Sequence, residues 1–253
     1  MITVLFLGSK PIGFNCLKYL IENRNILNIN IIGVLSNNNA SFGSEFSLKR
    51  LASENFINFY ESLQEIESFK VDYLVSVQYH LILRQKHIDI ARILAFNLHM
   101  APLPELRGCN QFSFAIYNNF KTFGTTIHKI EDGIDNGDII FERRFDIPDN
   151  CLVNELYELT DSESLKLFIE KIHSILNGNY SLQPQEQLVE IRGTSLNYRK
   201  DILKLKTIDF NEGIEEVTKK VKATAMPGFE PPFYLYEGSK YYIIPEKNYK
   251  INK

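Results

Sequence analysis

Cysteine is scarce in this 253-residue sequence: Cys16, Cys109 and Cys151 stand far apart and are odd in number. They form no CxxC pair and no disulfide framework, so a reducing, cytoplasmic setting is expected. No apolar run reaches the ~18 residues that a membrane-crossing helix needs, and no membrane partner is expected. The opening Met1-Ile2-Thr3-Val4-Leu5-Phe6-Leu7-Gly8 has no basic segment and no small-residue cleavage site. It reads as a first strand rather than a secretion signal. Charge of one sign is also lacking. With 28 Lys/Arg against 31 Asp/Glu, the net charge of −3 excludes attraction of nucleic acid by the whole chain and leaves only local basic patches. His80, His128 and His173 show no metal-ligand spacing with each other or with the cysteines, so no metal is expected. His173 reads as a helix-face residue and His87 as a surface one. Gly8-Ser9-Lys10-Pro11-Ile12-Gly13 lacks the G-x-G-x-x-G pattern, which gives no ground for a dinucleotide. Repeats and low-complexity tracts are absent.

The chain does have a hydrophobic fraction of 44% and a charged fraction of 23%, ordinary values for a globular core under a polar surface. The length suits one α/β domain with a small appendage. Apolar runs at 2–7 and 29–35, shorter ones at 56–60, 73–77 and 95–99, and helical spacing at 14–21 and 47–54 give a βαβ alternation. Ser36 and three asparagines, Asn37 to Asn39, close the second run. A right-handed, doubly wound, mostly parallel sheet is expected. The pattern then changes. A helix ends at 113–118, strands are expected at 125–130 and 138–147, and a turn-rich loop at 131–137 separates them. Residues 154–176 read as one long helix. The segment 181–210 reads as a polar connector, 212–222 as a short helix, and 233–236 with 241–244 as a hairpin joined by residues 237–240.

Three places can carry chemistry. Asn97-Leu98-His99 closes a buried-looking strand, and residues at i and i+2 point to one face, so Asn97 and His99 can reach one bound group. From spacing alone a polar strand end with no chemistry is the commoner explanation of such a pair. Asp135 lies between Gly133 and Gly137, which let the loop turn sharply near a ligand; a hairpin aspartate bonded to its own backbone is the plain alternative. Pro102 and Pro104 keep the chain out of helix, and Arg107 is either an anion contact or a surface ion pair.

Taken together, these blocks resemble the formyltransferases that use 10-formyltetrahydrofolate. The order is Phe96-Asn97-Leu98-His99-Met100-Ala101-Pro102-Leu103-Pro104, then Arg107-Gly108, then Gly124-Thr125-Thr126-Ile127-His128, then Asp132-Gly133-Ile134-Asp135-Asn136-Gly137-Asp138. It is similar to the N-x-H-x-S/A-x-L-P, R-G, G-x-T and G-x-D-x-G-D signature of methionyl-tRNA formyltransferase and its sugar-modifying relatives. Val75-Ser76-Val77-Gln78-Tyr79-His80-Leu81-Ile82-Leu83 resembles that family's folate-pocket loop. Met226-Pro227-Gly228-Phe229-Glu230-Pro231-Pro232-Phe233 is similar to tails of nucleotide-sugar N-formyltransferases.

The resemblance implies a Rossmann-like formyltransferase fold over 1–180, a connector over 181–210 and a small C-terminal subdomain over 211–253. It implies a catalytic trio of Asn97, His99 and Asp135, with 10-formyltetrahydrofolate as cosubstrate held by Gln78, Tyr79, His80, Leu81, Ile82, Leu83, Glu131, Asp132 and Gly133. The acceptor would meet Ser9, Lys10, Met100, Pro102, Arg107, Gly108, Phe229 and Tyr234. From Gly178 onward there are 12 Lys/Arg and 10 Asp/Glu, a net of +2 in 76 residues, too neutral for a strong transfer-RNA surface. Seven aromatics, Phe229, Phe233, Tyr234, Tyr236, Tyr241, Tyr242 and Tyr249, crowd the last 25 residues. They either pack a hairpin or offer a stacking face for a nucleobase or a dimer contact. The tail's resemblance implies as acceptor a dTDP-linked amino-dideoxy sugar, foremost dTDP-4-amino-4,6-dideoxyglucose, in surface polysaccharide (O-antigen) synthesis by a homodimer. A 3-amino isomer, methionyl-tRNA, the purine-pathway glycinamide, or a silent nucleotide-sugar-binding module are the alternatives.

Overall fold

Strand β1 (Ile2–Gly8) is apolar at every central position because both of its faces are covered. Val4 and Phe6 join one core cluster, Leu5 and Leu7 another on the opposite side. That double burial is why a parallel strand reads as a continuous apolar run rather than an alternation. The computed structural model describes residues 1–37 and 44–248; Asn38, Asn39 and Tyr249 of the sequence expectations lie outside them. Along the chain follow α1 (Lys10–Glu22), β2 (Ile29–Leu35), α2 (Leu48–Glu54), β3 (Phe59–Tyr60), β4 (Val71–Val77), α3 (Gln85–Ile88), β5 (Ala91–His99), β6 (Arg107–Gly108) and α4 (Gln111–Tyr117). Then come β7 (Thr122–Lys129), β8 (Ile139–Asp146), α5 (Val153–Leu176), α6 (Glu186–Arg192), β9 (Leu196–Asn197), α7 (Ile202–Lys206), α8 (Ile214–Thr224), β10 (Phe233–Tyr236) and β11 (Ser239–Tyr242).

Seven strands form one sheet in the order β3-β2-β1-β4-β5-β7-β8. The first five run parallel, while β7 is antiparallel to both β5 and β8. This is the doubly wound, mostly parallel α/β sheet expected from the sequence. Helices α1 and α5 cover one face; Cys16, Leu17 and Leu20 meet Phe168, Ile172 and Ile175 in the same cluster as Val4 and Phe6. The foot of α5 is tied to the sheet by the Tyr73 hydroxyl, which donates to the carbonyls of Ile175 (3.1 Å) and Leu176 (3.2 Å). The chain order reverses between β1 and β4, and ligands of such sheets sit beyond the carboxyl ends of the strands around that point. Among the described residues no helix is long and apolar enough to cross a membrane.

The structure corrects several sequence expectations. Helix α1 starts at Lys10, not Phe14, so the anticipated turn is its first turn. The third strand shrinks to Phe59–Tyr60, because Phe56 is 99% exposed with φ of 59° and ends a turn instead. His87 is buried, with Nδ1 accepting from the Arg84 amide (3.1 Å) and Nε2 facing Glu67 (3.6 Å). The polar connector contains α6, β9 and α7 and is pinned to the rest of the chain. The hairpin turns on two residues, Glu237 (φ 48°) and Gly238 (φ 78°), the left-handed pair of a tight turn that matches strand twist.

Candidate active site

The site grows from the register of β5 against β7. Asn97 and His99 project from the same face of β5, and antiparallel pairing sets His128 of β7 directly opposite Asn97. The loop from β7 to β8 then returns Asp135 to these three side chains. Its Oδ2 lies 3.5 Å from His99 Nδ1 and its Oδ1 3.5 Å from His128 Nε2. The expected trio is thus brought together, and His128 makes it a quartet. His128 escaped the sequence reading because only the strand register, not spacing, brings it to Asn97.

The remaining ring nitrogens are fixed by carbonyls, which can only accept. His99 Nε2–H donates to Leu106 (2.9 Å) and His128 Nδ1–H donates to Lys129 (2.9 Å). His128 Nε2 lies between Asn97 Nδ2 (3.2 Å) and Asp135 Oδ1 (3.5 Å), and at least one of the two amide hydrogens of Asn97 is left for another acceptor. Burial pushes the Asp135 carboxyl up. The facing His99 and His128 rings and the Gly108 N–H (2.9 Å) outweigh it and hold that carboxyl well below the ordinary range. Gly108 has φ of 83°, and a Cβ there would run into the Asn197 carbonyl, so only glycine brings its N–H to Asp135. Arg107 is turned to the same loop: its Nε donates to the Ile134 carbonyl (3.0 Å), which places it in loop anchoring.

At the carboxyl ends of β1 and β4 two non-glycine residues adopt left-handed backbone, Lys10 (φ 63°) and Gln78 (φ 54°). Such conformations cost about 1–3 kcal/mol and gather at functional sites. Lys10 Nζ donates to Gln78 Oε1 (2.9 Å), and the Ser9 hydroxyl donates to the Gln78 carbonyl. Burial, then the Arg199 charge, pulls the Lys10 ammonium below its usual range; the same two causes lower His80. The Arg199 charge is thus felt by both Lys10 and His80, and Arg199 had no sequence signal. In the adjoining loop Leu81 and Ile82 are about half exposed, at 48% and 52%, and the Tyr79 hydroxyl is buried with no hydrogen-bond partner among the described residues. Burial pushes that hydroxyl up to about 12. Leu83 is buried, while Asp132 and Gly133 are exposed. Glu131 pairs with Lys129 (2.8 Å).

Two expected acceptor contacts are corrected. Met100 is fully buried in the main core and Pro102 is buried as well, so their side chains pack the turn after His99 rather than reach a ligand. Phe229 is exposed in the turn after α8, and Tyr234 stacks on Tyr241 (5.2 Å) and meets Phe210 edge-on (5.2 Å). Among the described residues no group of three or more His, Cys, Asp or Glu side chains is placed to hold a metal ion.

The quartet stands at the carboxyl end of β5, one strand over from the switch point between β1 and β4. Residues 16–172 match the formyl transferase family, and the chain belongs to that family. A methionyl-tRNA formyltransferase from Wigglesworthia glossinidia brevipalpis is 26% identical over 208 residues, covering 77% of this chain and 64% of that one. The chain thus spans just under two thirds of that relative's length. Among solved structures, an N-formyltransferase from Helicobacter canadensis, in complex with folinic acid and dTDP-3-aminofucose, is 26% identical with a TM-score of 0.78, covering 95% of this chain and 86% of its own. WlaRD, a sugar 3N-formyl transferase solved in the presence of dTDP and 5-N-formyl-THF, is 27% identical with a TM-score of 0.78, covering 95% and 84%.

Proposed function

We propose that this protein transfers a formyl group from 10-formyltetrahydrofolate to the amine of a dTDP-linked amino-dideoxy sugar. The observation that carries the chemistry is Asp135, buried and ionised between two histidines beside a half-free Asn97 amide. The sugar amine attacks the formyl carbon, a C–N bond forms, and negative charge appears on the former carbonyl oxygen. The free N–H of Asn97 meets that oxygen; one such donor typically supplies about 3–4 kcal/mol. Because both His99 nitrogens already face acceptors, His99 serves Asp135 rather than the oxygen. Asp135 draws the amine's proton, through water, and it ends on folate N10 as the old C–N bond breaks.

The folate side is supported by the exposed apolar Leu81 and Ile82 beside the orphaned Tyr79 hydroxyl, a surface suited to a flat ring with polar edges. Backbone of residues 78–83 and 131–133 would hold that ring. The acceptor side is supported by Lys10, held on Gln78 at the carboxyl ends of β1 and β4, with the Arg199 charge felt there, two cations that suit a diphosphate, and by the Tyr234 and Tyr241 stack, which suits a base. The tail's near-neutral charge argues against transfer RNA. The sequence pointed first to a 4-amino sugar. Two solved relatives, at 26% and 27% identity, are a complex with dTDP-3-aminofucose and a sugar 3N-formyl transferase, which supports an amine at carbon 3, with carbon 4 second. The hairpin exposes Tyr236 and Tyr241 on one side and Leu235 and Tyr242 on the other, by 45% to 59%, an apolar surface that a second copy of the chain would cover.

The test supplies 10-formyltetrahydrofolate with a dTDP-3-amino-dideoxyhexose, its 4-amino isomer or methionyl-tRNA, and follows each acceptor by mass. Formylation of the 3-amino sugar alone is expected. Formylation of the transfer RNA alone would overturn the acceptor class, and no formylation of any would overturn the activity.

A further inference from the structure

The connector carries a buried side chain that the chemistry above leaves unexplained. Gln185, just before α6, is 6% exposed, and its amide Nε2 donates to two carbonyls at once: Asp135 (2.9 Å) and Gly137 (2.7 Å). Those carbonyls could not accept from Oε1, so the amide orientation is fixed by its partners. Oε1 itself is buried with no hydrogen-bond partner among the described residues, an arrangement that costs free energy and that a purely structural glutamine has no reason to keep. The loop it grips needs such a grip. Asp135 has φ of 47° and Gly133 φ of 138°, and Gly137 packs so closely on the Lys129 carbonyl that a Cβ would not fit. Left to itself, a loop with left-handed backbone at its reactive residue relaxes.

We infer that Gln185 is a positioning residue of the reaction: it holds the Asp135 backbone in its left-handed conformation, so that the carboxylate stays aimed at His99, His128 and the Gly108 N–H. The inference rests on the catalytic role proposed for Asp135. The connector makes it possible, since the antiparallel bridge between Ile139 and Gln183 sets Gln185 against the loop from outside the segment that matches the family. Gln185 touches no reacting atom; it acts only through Asp135.

The experiment measures steady-state formyl transfer across pH for Gln185→Met, Gln185→Glu, Gln187→Ala and Asp135→Asn. Met keeps the length and loses both bonds. Misplacing a reactive group by about 1 Å can cost on the order of 100-fold, so kcat is expected to fall about 10–100-fold while both KM values hold within about twofold. The acid limb of the kcat profile should move to higher pH, because a loosened Asp135 loses the contacts that keep it ionised. Gln185→Glu can still donate one bond when protonated, so its turnover relative to wild type should fall as pH rises. Gln187→Ala breaks only the exposed Gln183–Gln187 bond and should match wild type. A Gln185→Met protein with wild-type kcat, or with a raised KM and an unmoved pH profile, overturns the inference; so does a Gln185→Glu protein that is fully active at alkaline pH. A Gln187→Ala loss as large as that of Gln185→Met overturns it too, by showing general connector damage. Retained turnover in Asp135→Asn would instead overturn the role of Asp135 itself.

Discussion

Replacing Asp161 by asparagine should stabilise the protein at alkaline pH and do so less as the pH falls. Asp161 sits on α5 facing α1, and its Oδ1 is buried with no hydrogen-bond partner among the described residues. Burial pushes its carboxyl from 3.8 up to about 6. The groups around it give no relief. One turn earlier the Tyr157 hydroxyl is likewise buried and orphaned, and across on α1 the Cys16 thiol is raised by burial and then by the Asp161 charge. A carboxyl raised on folding binds its proton more tightly in the folded chain. Its contribution to stability is present below the unfolded value and fades as pH rises through the folded one. At ~1.36 kcal/mol per pH unit, the charged form costs up to about 3 kcal/mol at pH 8 but only about 1 kcal/mol at pH 4.5. Urea unfolding of wild type and Asp161→Asn at both pH values measures this directly, with equal m-values as the check on comparison. The variant's advantage should grow by about 2 kcal/mol between the two pH values. An advantage that is constant with pH would refute the reasoning, because it would mean that Asp161 ionises in the folded protein as freely as in the unfolded one.

Four further outcomes are expected. Asp135→Asn should lose about 100-fold or more in kcat with the fold intact, measured by formyl transfer under saturating substrates. His128→Phe leaves Asn97 Nδ2 without its ring partner and Asp135 without one of its two rings; kcat should fall about 10–100-fold, and wild-type turnover would show that His128 is a bystander. Gly108→Ala forces a left-handed residue against the Asn197 carbonyl and should destabilise by about 1–3 kcal/mol in urea unfolding while also lowering kcat. Tyr234→Ala should raise KM for the sugar nucleotide about 5–100-fold and leave KM for the folate unchanged, the size expected when a base loses a stacking partner worth about 1–3 kcal/mol.

The parts of the fold that could be read from sequence are those where burial leaves a mark on every residue. The second strand is found at its observed bounds, Ile29–Leu35, because it lies inside the sheet between β1 and β3. The third is overdrawn because Phe56, an apolar residue on an exposed turn, imitates strand composition. The start of α1 is hidden by Pro11, which punctuates turns and first helical turns alike. At the site, Asn97 and His99 are legible from their spacing of two on one strand. His128 needs the knowledge that β7 runs antiparallel to β5, which no local pattern carries. Gln185 and Arg199 lie in a polar stretch whose contacts run from side chain to backbone or through charge, and such contacts have no periodicity to detect.

The connector has a further consequence for how this protein can be taken apart. Its residues 194–197 run alongside residues 104–109: Thr194 and Ser195 donate to the carbonyls of Pro104 and Glu105, and β9 pairs with β6. Arg192 reaches Glu142 on β8 (2.9 Å), two residues from the Arg144–Glu105 pair (2.7 Å). A chimera that trades one C-terminal segment for another therefore has no clean joint at the end of α5. Cut there, the graft would carry away the straps that shape the recipient's own reactive loop. A swap made beyond Asn197 keeps those straps with their sheet, and it exchanges α7, α8 and the aromatic hairpin together.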